Sequence, residues 1–190
     1  MDPETELAAT VLRDRFRRVA TDLSMIAERD IEVQSVSYEE RVDRAAWASL
    51  VYIAFRCSVR VAGTDVHHGA LLVPLQEAVS VAGYLMFAPE KRVAAMRASG
   101  VVEMGAERAM PELGAFVATE VDAALRASGV ACGGALLEGR QGVRADVPPG
   151  LDYEEAATLS TSRAMISTAG RPAVEVVLMI PREECLLAAV

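Results

Sequence analysis

The chain has 190 residues, a length typical of one domain with a substantial core, so we expect residues 1–190 to form a single domain. Hydrophobic residues make up 52% of the chain and aromatic residues only 5%, so the expected core is aliphatic side chains and methionine. The formal net charge of −8 argues against binding nucleic acid or an anionic membrane surface, because both require clustered lysine and arginine.

The cysteines and the start of the chain favour a cytoplasmic protein. Cys57, Cys132 and Cys185 are far apart, odd in number and without CxxC spacing, so we expect reduced, buried thiols. The first residues, MDPETEL, lack the basic and apolar regions of a signal peptide. The longest apolar run, residues 45–55, is too short to span a bilayer.

The first hundred residues alternate between helical and extended patterns. Apolar residues at steps of three and four predict an amphipathic helix over residues 4–29. The predicted elements that follow are a strand at 31–36, a charged connection at 39–44, strands at 47–62 and 66–73 joined by a turn, a helix from Pro74 to Phe87, and a helix between Pro89 and Gly100.

A second amphipathic helix is predicted over residues 110–128. Its apolar stripe consists of Met110, Leu113, Val117, Val121 and Leu125. Its polar side consists of Glu112, Ala115, Thr119, Asp122 and Arg126. Positions three apart are neighbours on a helix surface, so Glu112 and Ala115 form a two-residue site facing solvent.

The remaining residues predict strands and one short helix. The elements are a strand at 130–137 with a bulge at Gly133-Gly134, a loop at 148–150, a hairpin of strands 157–168 and 173–180, and a helix at 182–189. The letters show no tight internal repeat. This order favours an α+β fold, an antiparallel β-sheet with long helices packed on it.

Three segments together resemble the CheC/CheX/FliY phosphatases of bacterial chemotaxis. Residues 110–128 are similar to that family's signature helix, in which Glu-x-x-Asn follows an apolar lead-in; here the Glu is Glu112 and the Asn position is Ala115. Residues 69–86 are similar to its strand followed by a helix, and residues 174–181 to its closing strand. The N-terminal helix has no Glu-x-x-Asn, which is more similar to CheX than to CheC.

The resemblance implies a cytoplasmic protein that docks the receiver domain of a response regulator. In the family, the Glu contacts a conserved lysine of the receiver and the Asn orients the water that attacks the aspartyl phosphate. The methyl group of Ala115 has neither a donor nor an acceptor, so the resemblance leaves aspartyl-phosphate phosphatase activity in doubt. Thr119 and Glu120, one turn on, are further candidates for contacting a partner or holding a water.

Other site types have little support in the sequence. His67 and His68 are adjacent in a predicted strand and therefore point to opposite faces, so we expect no metal site. No glycine-rich nucleotide loop is present, and we expect no cofactor. The alternative to receiver docking is a non-catalytic scaffold or partner-binding module of a signalling or flagellar system. A homodimer stays an open alternative.

Overall fold

The computed structural model describes residues 3–39, 50–61, 66–100, 132–141 and 159–181, together with positions 109, 112, 114, 115 and 119. The helices in these ranges are α1 (Pro3–Ala27), α2 (Leu75–Leu85) and α3 (Glu90–Ser99). The strands are β1 (Ile31–Glu39), β2 (Tyr52–Val61), β3 (Val66–Pro74), β4 (Cys132–Gln141), β5 (Leu159–Thr168) and β6 (Val174–Pro181).

The six strands form one sheet in the order β1-β5-β6-β3-β2-β4, and every neighbouring pair is antiparallel. Helix α1 packs on β1 and β5, and α2 packs on β2 and β3. The predicted α+β class, an antiparallel sheet with helices packed on it, is therefore confirmed.

The sheet contains the same arrangement of strands twice. If β1, β2 and β3 are exchanged with β4, β5 and β6, the strand order reads the same from the other edge. The registers agree as well, since Tyr52 opposes Pro74 in the first hairpin and Leu159 opposes Pro181 in the second. The repeat is one of topology and register, which explains why the letters alone do not show it.

Local hydrogen bonds set the end of α1 and the start of β1. Glu28 has a φ of 52°, a left-handed conformation that ends the helix. The Ser24 hydroxyl donates to the carbonyl of Ala20 at 2.7 Å and accepts the N–H of Ile31 at 2.9 Å. One serine therefore joins the last turn of the helix to the first strand.

The helices cover one face of the sheet with aliphatic side chains. Leu23 of α1 and Val79 of α2 belong to the same buried cluster as Phe55, Leu71 and Leu178 from three strands. This is the main core, and Phe55 is the one ring among its buried members, as the low aromatic content predicts.

The opposite face of the central strands is buried as well. Its side chains form a second cluster, consisting of Tyr52, Ala54, Ala70, Leu72, Leu159, Val177 and Met179. Both faces of β3 and β6 are therefore apolar, which accounts for the nearly continuous apolar runs in their sequences.

Glycine is required where β3 lies against β6. A Cβ added to Gly69 would stand 2.3 Å from the carbonyl oxygen of Met179, closer than atoms in contact can approach. The paired residues that follow are Ala70 with Met179, Leu71 with Leu178 and Leu72 with Val177. Gly69 thus allows the two hairpins to meet in one continuous sheet.

Two edge-strand predictions need correction. The bulge predicted at Gly133-Gly134 is wrong, because both glycines pair regularly with β2; the register shifts at Leu137, and β4 runs on to Gln141. Strand β1 continues to Glu39, beyond the predicted end at residue 36. A register shift at Gln34 interrupts the apolar alternation of β1, which resumes with Val36 and Tyr38 after the shift.

A buried ion pair joins α2 to α3. Glu77 lies in the first turn of α2 with its side chain only 4% exposed, and it pairs with Arg97 of α3. The same Nη1 of Arg97 donates to the carbonyl of Gln76 at 2.9 Å and contacts the hydroxyl of Ser80. Oε1 of Glu77 is buried without a hydrogen-bond partner, so Arg97 supplies the positive charge that makes this buried carboxylate tolerable.

We expect Arg97→Ala to lower the free energy of unfolding by about 3 kcal/mol, because it leaves Glu77 buried and unpaired. Adding Glu77→Gln to that variant should recover part of the loss, since the remaining group is uncharged. Lys91→Ala, an exposed change on the same helix, is the matched control, with an expected effect below about 0.5 kcal/mol. Urea denaturation of the four proteins measures this; equal losses in the single and double variants would contradict it.

Candidate functional site

The described positions of the predicted signature helix are all helical, and they differ in burial. Ala109 is 5% exposed within the main core, and Gly114 is also buried. Glu112, Ala115 and Thr119 are exposed. These three positions, which we name the docking face, follow the spacing of one helix side and are available to a partner.

Thr119 has one side-chain hydrogen bond, and it is internal to the helix. Its Oγ1 donates to the carbonyl of Ala115 at 2.9 Å, four residues earlier. A hydroxyl carries one proton, so in this conformation Thr119 can accept a hydrogen bond from a partner or a water but cannot donate one.

Of the Glu and the Asn in the family's Glu-x-x-Asn motif, the docking face has only the Glu. Glu112 presents a carboxylate to solvent, whereas Ala115 presents a methyl group three residues later. A carboxylate can contact a cationic side chain of a partner, but a methyl group can neither hold nor orient a water. Glu120 and the apolar stripe, Met110, Leu113, Val117, Val121 and Leu125, lie outside the described residues.

Other types of site are not found in the part of the chain that the structure describes. No group of three or more His, Cys, Asp or Glu side chains comes together there in a way that would hold a metal ion. None of the described helices is long and apolar enough to cross a membrane.

A polar cluster that the sequence analysis missed lies at the C-terminal end of α2, around Tyr84. The buried hydroxyl of Tyr84 donates to Glu90 Oε2 at 2.9 Å and accepts from Nη2 of Arg171 at 2.6 Å, and Arg171 also pairs with Glu90. Arg29 stands over the ring of Tyr84, with 5.1 Å from its Cζ to the centroid. The cluster joins the end of α1, α2, α3 and the β5–β6 turn, so its role is structural.

A third ion pair network lies on the second face of the sheet. Arg163 of β5 is 7% exposed, and its guanidinium is 3.4 Å from Glu39 of β1 and 3.5 Å from Glu175 of β6. No local motif marks these residues in the sequence. Only the register of the three strands shows that they are neighbours.

Comparison with known proteins gives structural matches alone. No protein-family model matches the chain, and no curated protein matches it in sequence. Among solved structures it is similar to FliY from Thermotoga maritima, with a TM-score of 0.60 and 17% identity over 100% of this chain and 96% of the other. A FliM–SpeE complex from H. pylori matches with a TM-score of 0.64 and 10% identity, over 100% and 95% of the two chains.

A third match is CheX from Desulfovibrio desulfuricans, with a TM-score of 0.53 and 10% identity over 91% of this chain and 99% of the other. The chain has the CheC/CheX/FliY fold. The resemblance inferred from three sequence segments is thereby confirmed at the level of fold. FliM middle domains share the same fold, and one match is a FliG–FliM complex from H. pylori.

The Tyr84 cluster gives this CheX-like fold a predicted response to alkaline pH. Burial raises the pKa of Tyr84 above its ordinary value of 10.0; the hydrogen bond from Arg171 acts in the opposite direction, and Glu90 reinforces the rise. Because the pKa of Tyr84 is higher in the folded state than in the unfolded state, the protonated phenol contributes to the free energy of unfolding. This contribution is fully present below pH 10 and is lost as the pH rises through the folded-state pKa.

We therefore expect Tyr84→Phe to lower the free energy of unfolding by about 1–2 kcal/mol at pH 7, because two hydrogen bonds are lost. The difference between the native chain and the variant should shrink above pH 10, where the phenol ionises in the unfolded state. Denaturation curves from pH 7 to 11 measure it. A constant difference across this range would contradict the assignment of the shift to Tyr84.

Proposed function

We propose that residues 1–190 are a single cytoplasmic domain that docks a receiver domain of a chemotaxis or flagellar signalling system through the docking face. The observation that carries this proposal is the exposed carboxylate of Glu112. Three residues earlier, Ala109 is also helical and is buried in the main core. The fold, shared over nearly the whole chain with FliY and CheX, supports the same assignment.

Docking and hydrolysis depend on different positions of the docking face. Glu112 supplies a charged acceptor for a basic side chain of the receiver, which is a contact of binding. Water orientation requires both a donor and an acceptor, and Ala115 offers neither. The function best supported is therefore docking with little or no acceleration of aspartyl-phosphate hydrolysis.

The second candidate is a non-catalytic scaffold that binds a flagellar protein instead of a receiver. The similarity to FliM favours it, since FliM was solved in complexes with FliG and with SpeE. The two candidates differ in their partner, and a titration of the native chain with receiver domains separates them.

We expect Glu112→Ala to weaken receiver binding about two- to fivefold, because it removes one exposed charged contact. The measurement is a titration of the chain with phosphorylated and unmodified receiver domains from the same organism. Glu32→Ala removes an exposed carboxylate from β1 and is the control, with unchanged affinity expected. Unaltered binding by Glu112→Ala would place the contact elsewhere on the chain, whereas no receiver binding by the native chain would favour the scaffold.

We expect Ala115→Asn to raise phosphate release from the phosphorylated receiver by up to about 100-fold over the native chain, because an amide can orient the attacking water. Its receiver affinity should stay close to native. Native-level melting of the variant, measured alongside, checks that the helix is intact. Fast hydrolysis by the native chain that survives Glu112→Ala would overturn the assignment of both positions.

A further inference from the structure

An exposed aromatic side chain follows the end of α2. Phe87 is 71% exposed, and its φ of 56° is left-handed. Its N–H donates to the Tyr84 carbonyl at 2.8 Å, and the N–H of Ala88 donates to the Gly83 carbonyl at 2.9 Å, a helix ending in which glycine is the usual residue. A bulky side chain raises the energy of a left-handed backbone, and an exposed ring gains little from packing. The stability of the free chain therefore favours glycine over phenylalanine at this position.

Two more large apolar side chains are exposed close to this turn. Met25 is 68% exposed and Ile26 is 41% exposed, both in the last turns of α1. The next residue of that helix, Ala27, is buried in a cluster against which Ala88, the neighbour of Phe87, also packs. We name Met25, Ile26 and Phe87 the apolar end.

The apolar end stands on an ordered base. The hydroxyl of Tyr84 joins Glu90 to Arg171 beneath it, and the N–H of Ala169 donates to the Asp30 carbonyl at 2.7 Å, which ties the β5–β6 turn to the end of α1. Side chains held on fixed backbone lose less conformational freedom on association than side chains on a loose loop. The apolar end is thus preorganised for contact with another molecule.

The charges around the apolar end are balanced, unlike those of the chain as a whole. Within the described ranges, four basic and three acidic residues flank it: Arg29, Lys91, Arg92, Arg171, Glu28, Asp30 and Glu90. The formal net charge of −8 is therefore carried by other surfaces, through which two copies repel each other. An acidic or a basic partner would meet like charges here as well as opposite ones. A second copy of the same end, related by a two-fold axis, can place the basic side chains of one chain against the carboxylates of the other.

We infer that the apolar end is a self-association surface, through which two copies of this chain form a symmetric dimer centred on Phe87. The inference does not use the docking face, so it holds whether or not the chain docks a receiver. Three apolar side chains with a charged rim make an interface at the low end of the size range of specific contacts. The dimer is therefore weak, with a dissociation constant on the order of 100 µM.

The first test is sedimentation velocity of the full chain, from about tenfold below to tenfold above that concentration. The average mass should rise from that of one chain to that of two. Phe87→Gly should weaken the dimer at least about tenfold, because it removes the central side chain. Its melting temperature should equal or exceed that of the native chain at low concentration, since glycine accepts the left-handed φ without strain. A structural role for Phe87 would instead lower the melting temperature.

Two further variants separate the apolar end from apolar exposure in general. Met25→Gln replaces an exposed apolar side chain by a polar one of similar helix propensity, and it should weaken the dimer severalfold without changing stability. Leu50→Ser is the matched control, because Leu50 is 43% exposed before β2 and is not part of the apolar end. It should dimerise as the native chain does.

The second test locates the interface through Lys91, the only lysine of the chain. Lys91 is exposed and follows Phe87 by four residues, which span at most about 14 Å. A dimer centred on Phe87 therefore brings two Lys91 side chains within reach of a long-spacer amine cross-linker. A link between two Lys91 residues can form only between two chains, and mass spectrometry of the digested product identifies it. The link should be lost in Phe87→Gly.

The outcomes decide the inference without reference to receiver binding. A single chain at every concentration would overturn it and leave the apolar end to a different kind of partner. A dimer that survives Phe87→Gly, or one that gives no link between Lys91 residues, would have its interface elsewhere and would overturn it as well. Equal weakening by Leu50→Ser would show non-specific apolar association, which also contradicts it.

Discussion

The pairing of β3 with β6 is the contact on which the rest of the structure depends. Each of these strands is the last of its own half, and the pair is the only link in the described sheet between the β2–β3 hairpin and the β5–β6 hairpin. The approach is close enough that Gly69 has no room for a side chain. Because both faces of these strands are buried, the pair also joins the two apolar clusters above and below the sheet.

The sequence predicts well those parts of the fold that depend on local patterns. Pro89 and Gly100 mark the ends of α3, and the left-handed φ of 62° at Gly100 is the conformation that a helix-ending glycine adopts. The turn between β5 and β6 is also local, although its first residue, Ala169, has a φ of 53° that usually favours glycine or asparagine. Alternation and spacing suffice for these elements because each is stabilised mainly by its own neighbours.

Features that depend on distant partners could not be predicted. An acidic residue in the first turn of a helix normally faces solvent, where the helix dipole favours it, so Glu77 gives no sign of its burial. Its partner Arg97 lies on another helix, and only the packing of α3 on α2 brings them together. The same holds for Arg163 and its two carboxylates on neighbouring strands. The bulge at Leu137 is set by pairing with β2, so the glycines that normally mark such irregularities pointed to the wrong place.

The candidate site could be predicted only in part from the sequence. Helical spacing predicted which side of residues 110–128 faces solvent, and the exposure of Glu112, Ala115 and Thr119 agrees with that geometry. Their role in binding stays a prediction, because spacing places a side chain without naming what it contacts. The hydrogen bond from Thr119 to the Ala115 carbonyl was not predicted from the sequence, and it uses the one proton of the Thr119 hydroxyl, which can then only accept a hydrogen bond from another group.

The exposure of Ala115 also bears on how a fold of this kind can change its chemistry. A side chain at an exposed helix position makes few packing contacts, so stability places little constraint on it. Alanine has the highest helix propensity, about 0.7 kcal/mol better than asparagine, which means that the helix itself favours the methyl group. Helix stability therefore gives no reason for an amide at this position. Since Glu112 is a separate residue on the same face, the side chain at position 115 can change while the fold and the exposed carboxylate are both kept.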